Sequence, residues 1–347
     1  MSDEPRSGAA LHELLLRLAG NAADGLVTGA RDQLAEGRPG NAARLVATSA
    51  ESGWFRPTEA DLRLLTAVEP ALDAAAIRAA AERSGPATSD GDWEFAPAIP
   101  VAGEPALIAT DLTTGGASPV DADAAAAGAA ERQEGAVALW RAWRAPDDLN
   151  PAIGRVFLFE TTAAADRLPG IAGAMQTVLR GAGLADPQVE VFRPDTELPW
   201  YQRKARERSA LLWAAAPAMP VTIARDYDSV DPQLGPQFDT DHERLADAEA
   251  ARVLEYLDAG EALLATTARE NDILESSLGE VVPQNFRTDG TWIWTDAVSY
   301  YLRAYRLAPD QELLAHIRGR DYRIAALDDV SRHRAMVELF RPVDQPS

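Results

Sequence analysis

The first candidate site is a run of five residues that carry oxygen and nitrogen ligands: Asp239, Thr240, Asp241, His242 and Glu243. Carboxylates and an imidazole within one turn suit a divalent cation such as Mn, Mg or Zn, so Asp239, Asp241 and His242 are candidate metal ligands. The alternative is a helix N-terminus, because Thr240 and Glu243 have the spacing of a capping box and acidic residues complement the helix dipole there. In that alternative a long amphipathic helix runs from 240 to about Leu257.

The second candidate is the densest basic run of the chain: Arg203, Lys204, Arg206 and Arg208. Arginine binds phosphate or carboxylate bidentately, so Arg203, Lys204 and Arg206 are candidates for an anion site. There are two alternatives. The run either docks on the acidic C-terminal part of the same chain or forms a solvated helix face.

The third candidate is an aromatic run whose polar and aromatic members are Arg287, Asp289, Trp292, Trp294, Tyr300 and Tyr301. Trp292 and Trp294 alternate, so both indoles stand on one face of a strand. Trp, Tyr and Arg dominate interface hot spots, and the run therefore indicates a platform for a ligand or partner. The alternative is core packing, in which the rings fill a seam between sheet and helix and Asp289 serves only the turn.

The familiar catalytic motifs are absent from the sequence: GxxxxGK[ST], GxGxxG, GxSxG and HExxH do not occur. The four histidines have no partner at a fixed metal spacing, and the absence of cysteine excludes disulfides, thiolate catalysis and cysteine-ligated metals. The sequence predicts no cofactor. It leaves open whether the chain is an enzyme and leans against it.

The elements that must position these residues fall into four predicted segments. Residues 1–85 indicate a small helical subdomain, since Leu11, Leu14, Leu15 and Leu18 share one helical face and Pro57-Thr58-Glu59 opens a further helix. Residues 86–135 are a polar, acidic linker whose alanine-rich end is either a solvated helix or an unordered loop.

Residues 136–225 have the clearest α/β pattern. Strands at 156–159 and 189–192 flank a helix at 163–182, which predicts a parallel pair with a right-handed crossover. A second helix is predicted over 198–215.

Residues 226–347 indicate an α+β unit. A hairpin over 286–294 is turned by Thr288-Asp289-Gly290, because Asp-Gly favours the primed turns of hairpins. Helices are expected to follow from Thr295 or Asp296, from Pro309-Asp310 and from Asp328. The fold class is therefore mixed α+β: a helical N-terminal subdomain, a central mixed sheet with flanking helices, and an α+β C-terminal unit.

The charge of the chain restricts its partners. The 347 residues carry 33 Lys and Arg against 54 Asp and Glu, a net charge of -21. An acidic surface repels phosphate backbones and anionic membranes, so a basic protein or a cationic ligand is the better partner. No segment has the length and apolar character of a signal core or a membrane span, and a cytoplasmic location is expected.

The C-terminal motif TDGxWxW at 288–294, followed by Tyr300-Tyr301-Leu302 and by Leu313-Leu314-Ala315-His316-Ile317, resembles a hairpin–helix module of uncharacterised actinobacterial proteins. The resemblance covers roughly residues 260–320. It implies an accessory role, of the kind found in toxin–immunity systems, and no particular reaction.

These observations favour a cytoplasmic, non-enzymatic protein-binding protein that acts through an aromatic and acidic C-terminal surface. One alternative is an enzyme or small-molecule binder whose pocket lies where the central sheet meets the C-terminal unit, at the carboxyl ends of the strands. Another is the structural subunit of a homo-oligomer.

Overall fold

The structure, a computed structural model, describes residues 4–83, 93–101, 106–114, 121–146 and 152–341. The chain divides into two compact units, an N-terminal unit (Met1–Pro217) and a C-terminal unit (Ala218–Ser347). Helices and mixed sheets occur in both, which confirms the predicted α+β class.

The N-terminal unit begins with five helices: α1 (Glu4–Leu18), α2 (Asp24–Ala35), α3 (Pro39–Glu51), α4 (Glu59–Val68) and α5 (Ala74–Arg83). The predicted apolar face of α1 is buried at Leu11, Leu14, Leu15 and Leu18. Thr58 caps α4, since its hydroxyl accepts from the amide of Asp61 while that carboxylate accepts from the amide of Thr58. The helical N-terminus is therefore confirmed.

The helices are followed by a six-stranded sheet and its flanking helices: β1 (Phe95–Ala96), β2 (Thr110–Asp111), α6 (Asp121–Glu131), β3 (Ala136–Arg144), β4 (Gly154–Thr161), α7 (Leu168–Gly181), β5 (Gln188–Phe192), α8 (Trp200–Glu207) and β6 (Ala210–Ala214). The strand order is β2-β6-β3-β4-β5, and β1 pairs with β3. Strands β4 and β5 are parallel and are joined through α7, as predicted. The alanine-rich stretch forms α6, while residues 86–92, 102–105 and 115–120 of the predicted linker lie outside the described residues.

The helix predicted over 198–215 is wrong in its second half. Helix α8 ends at Glu207, and Ala210–Ala214 forms β6, which pairs antiparallel with β3. The pairing buries Ala210 and Leu211 completely against the sheet, a tertiary gain that a short apolar run does not reveal.

Buried ion pairs fix the first helices to this sheet. Arg31 of α2 donates to Glu190 of β5 at 2.6 Å. Arg144 of β3 donates through both terminal nitrogens to Asp24, at 2.9 and 2.8 Å. The helical segment and the sheet thus belong to one compact unit.

The C-terminal unit comprises β7 (Thr222–Ile223), β8 (Ser229–Asp231), β9 (Gly235–Gln237), α9 (Asp247–Ala259), β10 (Glu261–Leu264), β11 (Arg269–Asn271), β12 (Glu280–Pro283), β13 (Phe286–Thr288), β14 (Trp292–Thr295), α10 (Asp296–Tyr305), α11 (Gln311–Gly319) and α12 (Asp329–Leu339). A four-stranded sheet has the order β10-β13-β14-β7, while β8–β9 and β11–β12 are separate hairpins. The predicted hairpin is confirmed as β13–β14, with Gly290 at a φ of 87° in its turn. Thr295, Asp310 and Asp328 cap the three helices that follow.

The helix start predicted at Thr240 is wrong, because α9 begins at Asp247. The preceding residues run extended beside the segment between α10 and α11. The amide of Leu245 donates to the carbonyl of Arg306, and the amide of Ala308 donates to the carbonyl of Glu243, both at 2.9 Å. This backbone pairing forms in place of the capping box, so the helix starts later in the sequence.

Candidate functional site

The predicted aromatic platform is not an exposed surface. Trp292 is 8% exposed and Trp294 is fully buried, and both belong to the core formed by α9, β14, α10 and α11. The Trp294 ring packs 6.1 Å from the Tyr256 ring and fills the space beside Gly260, where a Cβ would lie 2.3 Å from the indole. Core packing, the alternative interpretation, explains both indoles.

Asp289 does more than form the turn. Its Oδ1 accepts the amides of Thr291 and Trp292, each at 2.8 Å. Its Oδ2 accepts from the Tyr256 hydroxyl at 2.5 Å and from Nε2 of His316 at 2.6 Å. Burial opposes ionisation, but the four donors together hold the pKa of Asp289 below its usual value. The carboxylate thus fastens the hairpin to α9 and α11.

The remaining members of the aromatic run also form hydrogen bonds within the C-terminal unit. Arg287 donates to Asp296 at 2.7 Å and to the carbonyls of Asp258 and Gly260. The hydroxyl of Tyr300 donates to Asp272 at 2.8 Å. The hydroxyl of Tyr301 accepts the amide of Ile273, so both tyrosines fix the β11–β12 hairpin to α10.

The side chains of the basic run do not point to one common anion site. Arg203 and Lys204 lie over the ring of Trp200, at 5.6 and 5.5 Å from its centroid. Arg206 instead lies over Phe192 at 5.9 Å and over Trp140 at 6.0 Å. The three cations therefore face two different places.

The predicted metal site does not form. In the described part of the chain, no group of three or more His, Asp or Glu side chains is arranged to hold a metal ion. Both nitrogens of the His242 ring are already engaged: Nδ1 lies 2.8 Å from Oδ2 of Asp228, and Nε2 lies 3.0 Å from the carbonyl of Ala308. A metal ion at either nitrogen would have to displace one of these two partners.

Instead, the same residues line an acidic pocket of about 350 Å³ inside the C-terminal unit. The segment before β8 and the segment after β9 form two of its sides, α10 contributes Val298 and Tyr301, and the start of α11 closes it. Its carboxylates are Asp226, Asp228, Asp239, Asp241, Glu243 and Asp310. Arg225 and His242 are its basic members.

Packed rings form the wall of the acidic pocket. Phe238 meets Tyr301 edge to face at 4.9 Å between centroids, and Tyr227 meets Phe238 at 5.5 Å. The His242 ring lies 5.2 Å from Phe238. A group that enters the pocket therefore meets both aromatic rings and carboxylates.

The carboxylates of the acidic pocket differ in their engagement. Asp310 accepts from Arg225 at 2.7 Å, and Asp228 accepts from His242 and from the amide of Asp239. By contrast, the side chains of Asp239 and Asp241 accept no hydrogen bond from any described residue. These two exposed carboxylates are open to a ligand.

Asp226 is a carboxylic acid of the pocket whose pKa is raised. Burial raises its pKa to about 6, which outweighs the hydrogen bond that it accepts from the Thr295 hydroxyl at 2.7 Å. The nearby charge of Glu270 adds to the rise. Burial also acts on Asp228, but there the Asp239 amide and His242 prevail and lower its pKa. The pocket thus holds one acid that titrates near neutrality and one that stays ionised.

The sequence interpretation missed Asp226, Tyr227, Asp228 and Phe238. The signal that identifies them is the polar turn at 231–235, which predicts a hairpin whose two ends bring residues 226–228 beside Phe238. Without that hairpin, the run at 239–243 has no neighbours to form a pocket.

No protein-family model, curated protein or solved structure matches this chain. None of the helices in the described part is both long and apolar enough to cross a bilayer. The function must therefore be argued from the chemistry of the site.

Proposed function

We propose that the C-terminal unit binds a basic segment of a partner protein, with one cationic side chain seated in the acidic pocket. The observation that carries the proposal is the pocket itself, which is lined by six carboxylates, two basic groups and aromatic rings. Asp239 and Asp241, which no described residue engages, supply the open acceptors.

The chemistry of the acidic pocket suits an ammonium or guanidinium group. Charge-assisted hydrogen bonds to carboxylates are roughly twice as strong as neutral ones. A cation within about 6 Å of an aromatic face gains a further electrostatic attraction. The net charge of -21 steers basic molecules toward the chain and repels nucleic acid and anionic membranes.

A neighbouring hairpin favours a macromolecular partner over a free amine. Val230 and Leu234 lie on the β8–β9 hairpin and are 71% and 77% exposed. The hairpin begins and ends at the pocket wall, at Asp228 and Phe238. Exposed apolar residues beside a pocket that holds one side chain are typical of a protein-interaction surface.

A second candidate function is proton transfer on a cationic substrate, and one observation favours it. Asp226 and Asp228 have pKa values displaced in opposite directions, which is the arrangement of an acid and a base in one site. The homo-oligomer, the cytoplasmic location and the actinobacterial origin stay predictions.

The proposal is tested by calorimetric titration of the full chain with oligo-arginine, oligo-lysine and oligo-glutamate peptides. The variant D239N/D241N removes two open carboxylates, while E255Q/E280Q removes two exposed carboxylates of the same unit that do not line the pocket. We expect the first pair to weaken the binding of basic peptides at least about tenfold and the second pair to change it little.

Basic peptides bind weakly to many acidic proteins. The comparison between the two double variants therefore decides whether the peptide binds at the pocket. Equal weakening in both pairs refutes the pocket, and so does the failure of both basic peptides to bind the wild-type chain. Cross-links from a bound peptide to residues 225–243 or 308–311 support it.

A further inference from the structure

A second cavity lies in the N-terminal unit and has no role in the proposed function. Its volume is about 550 Å³, which is within the usual range for small-molecule sites. Its apolar walls are Trp93, Phe95, Ile99, Leu107, Trp143 and Ile153. We call it the apolar cavity.

The fold brings these walls together where β1 pairs with the end of β3. Phe95 lies opposite Arg144 and Ala96 lies opposite Trp143 in the register of the two strands. Several of the apolar side chains are open to solvent, among them Ile99 at 47% and Ile153 at 52% exposure. Covering the exposed aliphatic walls of such a cavity with an apolar group removes them from water and lowers the free energy.

Two basic side chains that line the apolar cavity have no ion pair with any described residue. Lys204 and Arg208, at the end of α8, both line it. Neither donates a side-chain hydrogen bond to any described residue, and Nζ of Lys204 lies 5.5 Å from the centroid of the Trp200 ring. Arg31 and Arg141 of the same unit, in contrast, each meet a carboxylate within hydrogen-bond distance.

The third cation of the apolar cavity, Arg144, is already neutralised. It is buried and donates to Asp24 and to the hydroxyl of Tyr201. One carboxylate, Glu94, also lines the cavity and is exposed. The two open cations therefore exceed the open carboxylates, in a chain whose net charge is -21.

From this juxtaposition we propose that the apolar cavity binds a small amphipathic carboxylate, a carboxylic acid carried on an apolar chain or ring. The apolar body lies against the tryptophan and aliphatic walls. The carboxylate accepts from Lys204 and Arg208 at the mouth. The site is separate from the acidic pocket, so the two proposals succeed or fail independently.

Decanoate is the probe, titrated calorimetrically into the full chain. Decan-1-ol keeps the apolar body and lacks the charge, while acetate keeps the charge and lacks the apolar body. We expect decanoate to bind, and the alcohol and acetate to bind at least about tenfold more weakly.

Two variants locate the binding. K204Q/R208Q removes both cations of the cavity, and the control R63Q/R203Q removes two exposed arginines of the same unit that do not line it. We expect at least about a tenfold loss of decanoate affinity in the first and little change in the second. Leu107→Glu places a negative charge on a partly exposed wall and is expected to abolish binding without unfolding the chain.

Three results overturn the proposal. They are the absence of decanoate binding to the wild-type chain, equal affinity for decanoate and decan-1-ol, and equal losses in the two double variants. If decanoate does not bind and the backbone amides around the cavity are protected from hydrogen exchange in the free protein, a segment of the chain itself fills the cavity and the proposal is wrong.

Discussion

Replacing Asp226 by Asn is expected to stabilise the protein near pH 7 while weakening its binding of cations. The carboxyl group has a pKa of about 6 in the folded chain, against an ordinary value of 3.8. The difference of about two units, at 1.36 kcal/mol each, corresponds to about 3 kcal/mol. Asn keeps an oxygen that accepts from the Thr295 hydroxyl, so the substitution preserves that hydrogen bond.

The sign follows from the order of proton release. As the pH rises from about 4 to about 6, the unfolded chain releases the Asp226 proton while the folded chain still holds it, so stability falls across this window. Above pH 6 the ionised carboxylate remains in a site that disfavours charge. Asn has no proton to lose, and the variant escapes this loss.

Urea unfolding near pH 4 and near pH 7 measures the effect. We expect the free energy of unfolding of Asp226→Asn to exceed the wild-type value by up to about 3 kcal/mol at pH 7 and by little at pH 4. Asp241→Asn, on an exposed carboxylate of the same pocket, is the control and is expected to change stability little. A variant that is less stable at pH 7, or a difference that does not depend on pH, refutes the reasoning.

Three further predictions concern buried groups. Trp294→Ala is expected to lower the free energy of unfolding by roughly 3–5 kcal/mol in urea titrations, because the indole is fully buried, whereas a loss below about 1 kcal/mol contradicts its place in the core. Asp289 has a lowered pKa, so the stability that it contributes is present above about pH 4 and is lost as the pH falls through its folded pKa; acid unfolding of Asp289→Asn should accordingly be flatter than that of the wild type. Glu190→Ala leaves the buried Arg31 without its carboxylate, and a loss of about 3–5 kcal/mol is expected in thermal or urea unfolding, while an unchanged midpoint indicates that the pair is not buried together.

Local signals were sufficient for much of the fold. Thr58, Thr295 and Asp328 cap helices as their types predict, since each side chain satisfies an amide at the first turn. Asp289-Gly290 turns the β13–β14 hairpin because glycine accepts the positive φ that the turn requires. These features depend on residues that are neighbours in the sequence.

The errors arose where distant pairing outweighs local preference. Residues 210–214 are apolar and alanine-rich, and only the presence of β3 beside them selects a strand over a helix. Residues 239–243 have acidic helix-start chemistry, yet Glu243 and Leu245 pair with the segment after α10. The run Trp292–Trp294 has the composition of an interface, and its burial depends on how α9 and α11 cover the sheet.

The candidate site is the least predictable part for the same reason. Asp239, Asp241 and His242 were identified, but as metal ligands, because their neighbours Asp226 and Asp228 come from the other side of a hairpin. Because Asp228 and the carbonyl of Ala308 contact the two imidazole nitrogens, the same residue types suit the proposed binding of an organic cation rather than a metal ion. The chemistry of a residue is local, whereas its partners are set by the topology.

The β8–β9 hairpin joins two features that can be altered independently: the pocket wall at its base and the exposed apolar residues farther along it. At its base Ser229 pairs with Gln237 beside residues of the pocket wall, while Val230 in the first strand and Leu234 at the tip are exposed. Lengthening a loop costs little conformational entropy, since the cost grows only with the logarithm of its length. The tip can therefore be exchanged or extended while the proposed cation site at its base is retained, which makes the hairpin a place for grafting new specificity.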